Sequence, residues 1–261
     1  MAKIYIDPGH GGTDPGATAN GLKEKDVTLA IATRVRNILV NEYTGVSVRM
    51  SRTGDQTVSL SQRTNDANAW GATFYVSIHI NAGGGTGYED YIHSNLSDSS
   101  STAQLRNTIH AEIVKLIDMP NRGKKKADFH VLRETSMHAM LTENGFIDTA
   151  TDAAKMKTSA WLDKAARGHV NGIAKAFGLK KKAAASTNPP VGEDGELQFS
   201  SGTLKKEWET FLGSKAQREI AVKEAVKAGY SAKWIKDLEA GKVQDGDVAA
   251  LAVGALIRAN K

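Results

Sequence analysis

The chain has 261 residues, of which 40% are hydrophobic and 24% charged, and this balance excludes a largely disordered protein. Its 34 basic and 29 acidic residues give a net charge of +5, a mild excess that by itself fits nucleic acid no better than an anionic envelope polymer. No nucleic-acid recognition motif supports the first reading. The absence of cysteine excludes disulfides and thiolate metal sites, so any metal must be bound by His, Asp or Glu.

Neither a membrane anchor nor an export signal is visible. The longest apolar run, residues 248–257, is far short of the ~20 residues that cross a bilayer. The N-terminus passes from one lysine into a strand-like run, without the apolar segment of a secretory signal. We therefore expect a protein that is made in the cytoplasm and is not inserted in a membrane.

Strand-like and helical patterns alternate over the first two thirds of the chain. Helical patterns with one apolar face begin after Glu24 and recur over residues 105–116 and 162–177. This alternation predicts an α/β fold, in which a mostly parallel sheet is flanked by helices. Strands are predicted at residues 3–7, 46–51, 73–80, 88–93 and 137–142, the third being the central one.

The composition changes once, at KKKAAASTNPPVGEDGE, where a Pro-Pro pair stands between charged flanks. Such a segment is extended and solvated, so it predicts a linker between independently folded parts. We predict a first domain at residues 1–180, a linker at 181–196 and a small all-α domain at 197–261. The aromatic residues Trp208, Phe211, Tyr230 and Trp234 are expected to supply much of the core of the small domain.

The first strand ends in a glycine-rich loop, DPGHGG, at residues 7–12. Ligands of parallel α/β sheets collect at the carboxyl ends of strands, so His10 can face such a crevice and bind a metal or an anion. A tight turn with a merely solvated histidine explains the hexapeptide equally well. Asp7, at the end of the strand, is expected to orient a metal ligand.

A second histidine, His79, lies near the end of the central strand. Taken alone, a buried structural imidazole is at least as common as a ligand, but both histidines end strands of one predicted sheet and can meet. A hydrolytic zinc needs three N or O ligands and an open position. Glu24, which opens the first long helix, is the predicted third ligand, although a carboxylate is also favoured there by the helix dipole.

Glu143 is the candidate general base and acid. Hydrolysis of an amide needs a group that accepts a proton from water and donates one to the leaving nitrogen. Glu143 closes a strand-like run before an Asn-Gly pair that predicts a turn, where a glutamate is more often just solvated. The other histidines are weaker candidates for ligand or base (His130, His138) or are predicted to be structural or surface residues (His93, His110, His169).

Four motifs stand in the order DPGHGG, GLKEKD, VSIHINA and NRGKKKADFHVLRETSMHAMLTENGF. On these, residues 1–178 resemble the zinc-dependent N-acetylmuramoyl-L-alanine amidases of the amidase-3 family, which cleave bacterial peptidoglycan. The resemblance implies that His10, Glu24 and His79 bind zinc and that Glu143 is the catalytic glutamate. Where the family often has proline the chain has His138, and Ile80 replaces a frequent alanine, departures that concern only the wall of the cleft.

The region from residue 195 onward resembles the small cell-wall-binding domain of lysins from phages of bacilli. This resemblance implies binding to a cell-wall polymer, which would raise the effective concentration of the catalytic domain near its bonds. Alternatively, the helical domain only stabilises the protein or joins two copies, so both a monomer and a homodimer are open.

Together these features predict a zinc-dependent endolysin that cleaves the amide between N-acetylmuramic acid and L-alanine and reaches the wall after release from the cell. The expected partners are peptidoglycan and a wall polymer, without nucleic acid and without membrane insertion. Two alternatives are a zinc peptidase that cuts within the stem peptide and a catalytically inactive protein that docks on peptidoglycan.

Overall fold

The computed structural model describes residues 1–182, 215–227, 230–243, 247–248 and 251. The chain divides into two units, Met1–Ala183 and Ala184–Lys261. Nearly all of the predicted linker, together with Trp208 and Phe211, lies outside the described residues. In the described part, no helix is long and apolar enough to cross a membrane.

A six-stranded sheet forms the centre of the first unit. Its strands are β1 (Ala2–Pro8), β5 (Val46–Met50), β6 (Phe74–Asn81), β7 (Tyr88–His93), β8 (Asn121–Ala127) and β9 (His138–Phe146). They are ordered β5-β1-β6-β9-β7-β8; the first four are parallel, β7 is antiparallel to β9, and β8 is parallel to β7. Two short pairs complete the strands: β2 (Thr18–Ala19) with β3 (Leu22–Lys23), and β4 (Tyr43–Thr44) with β10 (Lys180–Lys181).

Helices cover both faces of this sheet. The helices of this unit are α1 (Glu24–Glu42), α2 (Leu60–Trp70), α3 (Ser101–Leu116), α4 (His130–Arg133), α5 (Ala150–Met156) and α6 (Ser159–Ala176). Helices α1, α3 and α6 bury their apolar faces in the larger core cluster, whereas α2 and α4 contribute to a smaller one on the other face. The mostly parallel sheet flanked by helices is therefore confirmed.

The central strands are buried on both faces, which explains their apolar sequences. In β1, Ile4 and Ile6 belong to the larger core cluster, and Tyr5 belongs to the smaller one. The Tyr5 ring stacks on Tyr75 of β6, with centroids 5.3 Å apart. Because side chains alternate across a strand, the same alternation brings Asp7 to the face of Tyr5.

Strand β9 extends further than predicted. The Asn-Gly pair at residues 144–145 is not a turn: it lies inside β9, where the register with β6 shifts. Such a shift is a β-bulge, and Gly145 adopts the positive φ of 98° that few other residues tolerate. Glu143 therefore lies within the sheet rather than in a solvated turn.

Strand β8 and helix α2 are among the elements that were not predicted from the sequence. Strand β8 is an edge strand with the sequence NRGKKKA, which has no alternation of apolar and polar residues. Lysines are common on edge strands because their charge prevents the exposed edge from pairing with a strand of another molecule. Helix α2 begins with a capping box, in which Ser59 and Gln62 exchange side-chain and backbone hydrogen bonds. The Ser59 and Gln62 spacing of this capping box is visible in the sequence.

In the second unit, the described residues contain helices α7 (Lys215–Lys227) and α8 (Lys233–Glu239), and residues 247–248 and 251 are also helical. Two small clusters of buried side chains hold these segments together. Tyr230 and Trp234 pack against them as predicted, alongside the buried residues Ala221, Val222, Ala225, Val243, Val248 and Leu251.

Candidate metal centre and catalytic cleft

The residues predicted to carry chemistry converge at one edge of the sheet. His10 lies two residues after the end of β1, His79 lies near the end of β6, and Glu24 is the first residue of α1. Strands β1 and β6 are neighbours, and the next strand, β9, places Glu143 directly opposite His79. The convergence follows from topology, because carboxyl ends of parallel strands lie at the same edge.

Glu24 lies between the two imidazoles. Its Oε2 is 3.1 Å from His10 Nε2, and its Oε1 is 3.0 Å from His79 Nδ1. One ligand atom from each of the three residues lies within 4.8 Å of the others. Two nitrogens and a carboxylate oxygen at this spacing form a candidate metal site of the kind that hydrolytic zinc uses.

Backbone N–H groups hold the Glu24 carboxylate in place. Ala17 donates to Oε2 and Ile80 to Oε1, each at 3.0 Å. The side chain of Glu24 is only 5% exposed. Burial raises the pKa of this carboxyl, but the hydrogen bonds from His10 and His79 outweigh burial and hold the pKa far below its usual range. These contacts therefore hold the Glu24 carboxylate in one orientation between the two imidazoles.

Close backbone approach makes room for these side chains. A Cβ on Gly9 would overlap the His79 ring, and one on Gly16 would lie 2.6 Å from Glu24 Oε2. His10 has a φ of 59°, a left-handed conformation that is uncommon outside glycine. Such a conformation persists only where the surroundings impose it, which points to a positioned histidine rather than a solvated turn.

Asp14 orients His10, a role that the sequence analysis did not find. Its Oδ2 is 2.8 Å from His10 Nδ1, so the other ring nitrogen is left to face Glu24. Carboxylates that fix the tautomer of a ligating histidine in this way are common at metal sites. The only signal in the sequence was an acidic residue four positions after His10.

Asp7, which was expected to orient a metal ligand, has no hydrogen bond to either imidazole among the described residues. It is 1% exposed and accepts hydrogen bonds from Ser51, Ser77 and Arg63 at 2.6–2.8 Å. The Arg63 guanidinium in turn donates to the carbonyl of His10 at 2.7 Å. Asp7 therefore acts on the histidine loop only through Arg63.

Glu143 occupies a different environment. Its Oε2 is buried and has no hydrogen-bond partner among the described residues. Burial, with smaller contributions from the charges of Glu24 and Glu89, raises the pKa of Glu143 well above its usual value. A carboxyl group whose pKa is raised by its environment is suited to general acid–base chemistry.

These side chains line a cleft of about 540 Å³. Its other walls come from the loop at residues 57–60 and from residues 129–131. His130, one of the weaker candidates, is in this wall, and its Nε2 is buried without a partner among the described residues. The cleft is large enough for a small part of a polymer chain.

The remaining histidines lie away from the cleft. His138 begins β9 at the opposite end from Glu143 and meets Thr102 at 2.8 Å, so the structure does not bring it to the ligand cluster. His110 is buried against Asp90 at 2.6 Å. Burial lowers the pKa of His169 to about 4, which keeps it neutral and structural as predicted. His93 meets the exposed Asp128 at 3.1 Å.

The fold and the site together define a protein of the α/β class with a candidate metal centre at the carboxyl edge of its sheet. The family described as N-acetylmuramoyl-L-alanine amidase (Amidase_3) matches residues 4–175, and the chain belongs to this family.

Relatives and solved structures agree with this assignment. The chain is 60% identical over 185 residues to the N-acetylmuramoyl-L-alanine amidase CwlM of Bacillus licheniformis, with 71% of this chain and 72% of CwlM covered. It is 46% identical over 206 residues to an endolysin of Bacillus phage SPP1, with 77% and 74% covered. The catalytic domain of the amidase CwlV from Bacillus (Paenibacillus) polymyxa var. colistinus has a TM-score of 0.65 at 31% identity, covering 69% of this chain and all of that one.

The buried pair below the site generates a stability prediction. Asp7→Asn leaves the Arg63 guanidinium buried without its charge partner, so we expect the free energy of unfolding to fall by about 3–5 kcal/mol. The control Asp98→Asn removes an exposed carboxylate, for which no comparable loss is expected because solvent screens its charge. Urea unfolding of the full chain measures both, and equal effects would contradict the role given to Asp7.

Proposed function

We propose that this amidase is zinc-dependent, with His10, Glu24 and His79 as the zinc ligands and Glu143 as the group that moves the proton. The observation that carries the proposal is the position of the Glu24 carboxylate between two imidazoles, one of which, His79, is directly opposite Glu143 in the β6–β9 pair. A site of two histidines and one glutamate leaves one coordination position open to water or substrate.

The donor set fits zinc. Both histidines offer one ring nitrogen toward Glu24, and a hydrogen bond from His10 to Asp14 supports the ligand orientation from behind. Cysteine, the other common zinc ligand, is absent from the sequence. When bound there, zinc polarises the amide carbonyl and lowers the pKa of water, which is the chemistry that amide hydrolysis needs.

Glu143 supplies the proton transfers. As a carboxylate it accepts a proton from the attacking water while the water oxygen bonds to the amide carbon. It then donates this proton to the nitrogen as the carbon–nitrogen bond breaks, which releases the amine and returns Glu143 to its starting state. A raised pKa makes the carboxylate of Glu143 a stronger base toward the attacking water.

The bond that we propose is the amide between the lactyl group of N-acetylmuramic acid and L-alanine of the stem peptide. The family description and the name of the 60% identical Bacillus subtilis relative, a sporulation-specific N-acetylmuramoyl-L-alanine amidase, support this bond. The endolysin of phage SPP1 matches a larger share of this chain than either amidase relative does. We therefore favour lysis of a bacillus host by an enzyme that is made in the cytoplasm and reaches the wall after release.

For the part of the chain at residues 197–261 we propose binding to a cell-wall polymer, with residues 1–180 as the catalytic domain and 181–196 as the linker. The physical benefit is effective concentration, because a second weak site keeps the catalytic domain near its insoluble substrate. A monomer is sufficient for this arrangement, and a dimer through the C-terminal helices would add avidity.

Product analysis tests the bond. The enzyme should clear purified bacillus cell walls and release fragments whose new amino termini are L-alanine, and labelling of free amines followed by hydrolysis identifies them. New termini of another residue would instead support a peptidase that cuts within the stem. Binding to walls without release of any amine would support the docking protein.

Glu143→Gln tests the proton carrier. Glutamine keeps the size of the side chain but cannot accept a proton, so kcat should fall about 10²–10⁴-fold while the zinc content is unchanged. Glu134→Gln, an exposed glutamate of the same segment, is the matched control and should leave kcat unaltered. Near-normal turnover by the Glu143 variant would remove Glu143 from the mechanism.

A further inference from the structure

A buried carboxylate on β7, the strand beside β9, binds two cationic side chains of the edge strand β8. Glu89, at the start of β7, is 2% exposed. Its Oε2 accepts hydrogen bonds from Arg122 Nε at 2.7 Å and from Lys125 Nζ at 2.5 Å, both on the edge strand β8. We call these three residues the rim cluster.

Glu89 is an ionised anchor rather than a proton carrier. Its other oxygen, Oε1, accepts from Tyr91 Oη at 2.6 Å and from Asn81 Nδ2 at 2.9 Å, so the carboxylate has four donors. Burial raises the pKa of Glu89, but these hydrogen bonds outweigh burial and hold it below its usual value. The charge of Glu89 is thus permanent at neutral pH.

The rim cluster lies next to the proposed proton carrier. Because β7 runs antiparallel to β9, Glu89 is directly opposite Glu143 in the register, and side chains paired in this way point to the same face. Strand β8 is the next strand outward. Neighbouring strands are ~4.8 Å apart, so the backbone of β8 lies about 10 Å from that of β9, and the cationic groups extend from β8 toward β9 as far as Glu89.

The cations exceed what Glu89 needs. Arg122 and Lys125 give the rim cluster a net charge of +1, and their side chains are 36% and 37% exposed. The Arg122 guanidinium lies over the Phe146 ring at 4.8 Å and has a long contact of 3.4 Å with the carbonyl of Thr86. A guanidinium has five N–H donors and an ammonium three, so donors remain for a ligand.

Resting on the proposed function, we infer that Arg122 and Lys125 bind a carboxylate of the stem peptide, that of the second residue counted from the scissile amide. In peptidoglycan this residue is a γ-linked glutamate, whose α-carboxylate is free unless the wall carries it as an amide. An extended peptide advances ~3.3–3.6 Å per residue. The second residue is therefore about 7 Å from the scissile nitrogen, and its carboxylate reaches side chains that extend inward from β8.

Glutamine variants test the subsite against substrates that differ only at this group. The substrates are two soluble muramoyl peptides, one with the α-carboxylate of the second residue free and one with it as a carboxamide. The wild-type protein should prefer the free acid about 10-fold in kcat/KM, mainly through KM, since a hydrogen bond between two charged groups is stronger than one to a neutral amide. Arg122→Gln and Lys125→Gln should each reduce that preference, measured as the ratio of kcat/KM for the free acid to kcat/KM for the carboxamide.

Lys124→Gln is the matched control because it removes the same charge from the same strand. Lys124 is opposite Asp90 in the register of β7 and β8, so the two side chains are on the same face of the sheet. The Asp90 carboxylate contacts His110 of α3, which shows that this face is the one opposite to the cleft. The Lys124→Gln variant should prefer the free acid over the carboxamide as strongly as the wild-type protein does. In Arg122→Gln and in Lys125→Gln, the new glutamine keeps an N–H donor near Glu89. The cation that remains in each variant still neutralises the Glu89 carboxylate.

The two proposals fail in different ways. If the wild-type protein hydrolyses both peptides equally, or the variants lose both to the same extent, the cations serve only Glu89 and the subsite is overturned while the amidase activity stands. If the wild-type protein hydrolyses neither peptide although both contain the scissile amide, the proposed function itself is overturned.

Discussion

The bridging carboxylate of Glu24 is the interaction on which the catalytic edge depends. Each of its oxygens accepts one imidazole and one backbone N–H, so it connects the His10 loop, the start of α1 and the end of β6. A buried carboxylate without these four partners would cost several kcal/mol, and with them it orients both histidines. In this way the fold itself fixes the positions of the three candidate metal ligands.

Two further carboxylates of the same edge illustrate how environment divides roles. Glu89 has four donors and remains ionised, whereas Glu143, opposite it on the neighbouring strand, has a buried oxygen without a partner among the described residues and a raised pKa. Glutamates a few ångströms apart thus serve as a fixed charge and as a proton carrier. The negative charge of Glu89 also raises the pKa of Glu143, so the rim cluster and the chemistry are coupled through one cross-strand pair.

The sequence predicts the parts of the site that follow from parallel topology and misses those that follow from reversals. His10 and His79 end apolar strands that pair side by side, so their convergence with Glu24 was expected. The reversal that brings Glu89 to Glu143 depends on the antiparallel direction of β7, which its strand-like sequence does not show, and the rim cluster depends on a lysine-rich edge strand without a periodic apolar pattern. The bulge at residues 144–145 resembles a turn because both need glycine at positive φ. Only the strand pairing distinguishes them.

The central claim is that the three convergent side chains bind zinc, and the zinc content of the purified protein tests it most directly. Elemental analysis after dialysis should find one zinc per chain in the wild-type protein. A zinc titration of Glu24→Gln should give an affinity lower by about 10²-fold or more, because the neutral amide cannot replace the charged ligand. Wall hydrolysis should disappear with chelator and return with added zinc. A wild-type protein that hydrolyses wall amides with no bound metal, or a Glu24 variant that retains zinc with wild-type affinity, would contradict the account.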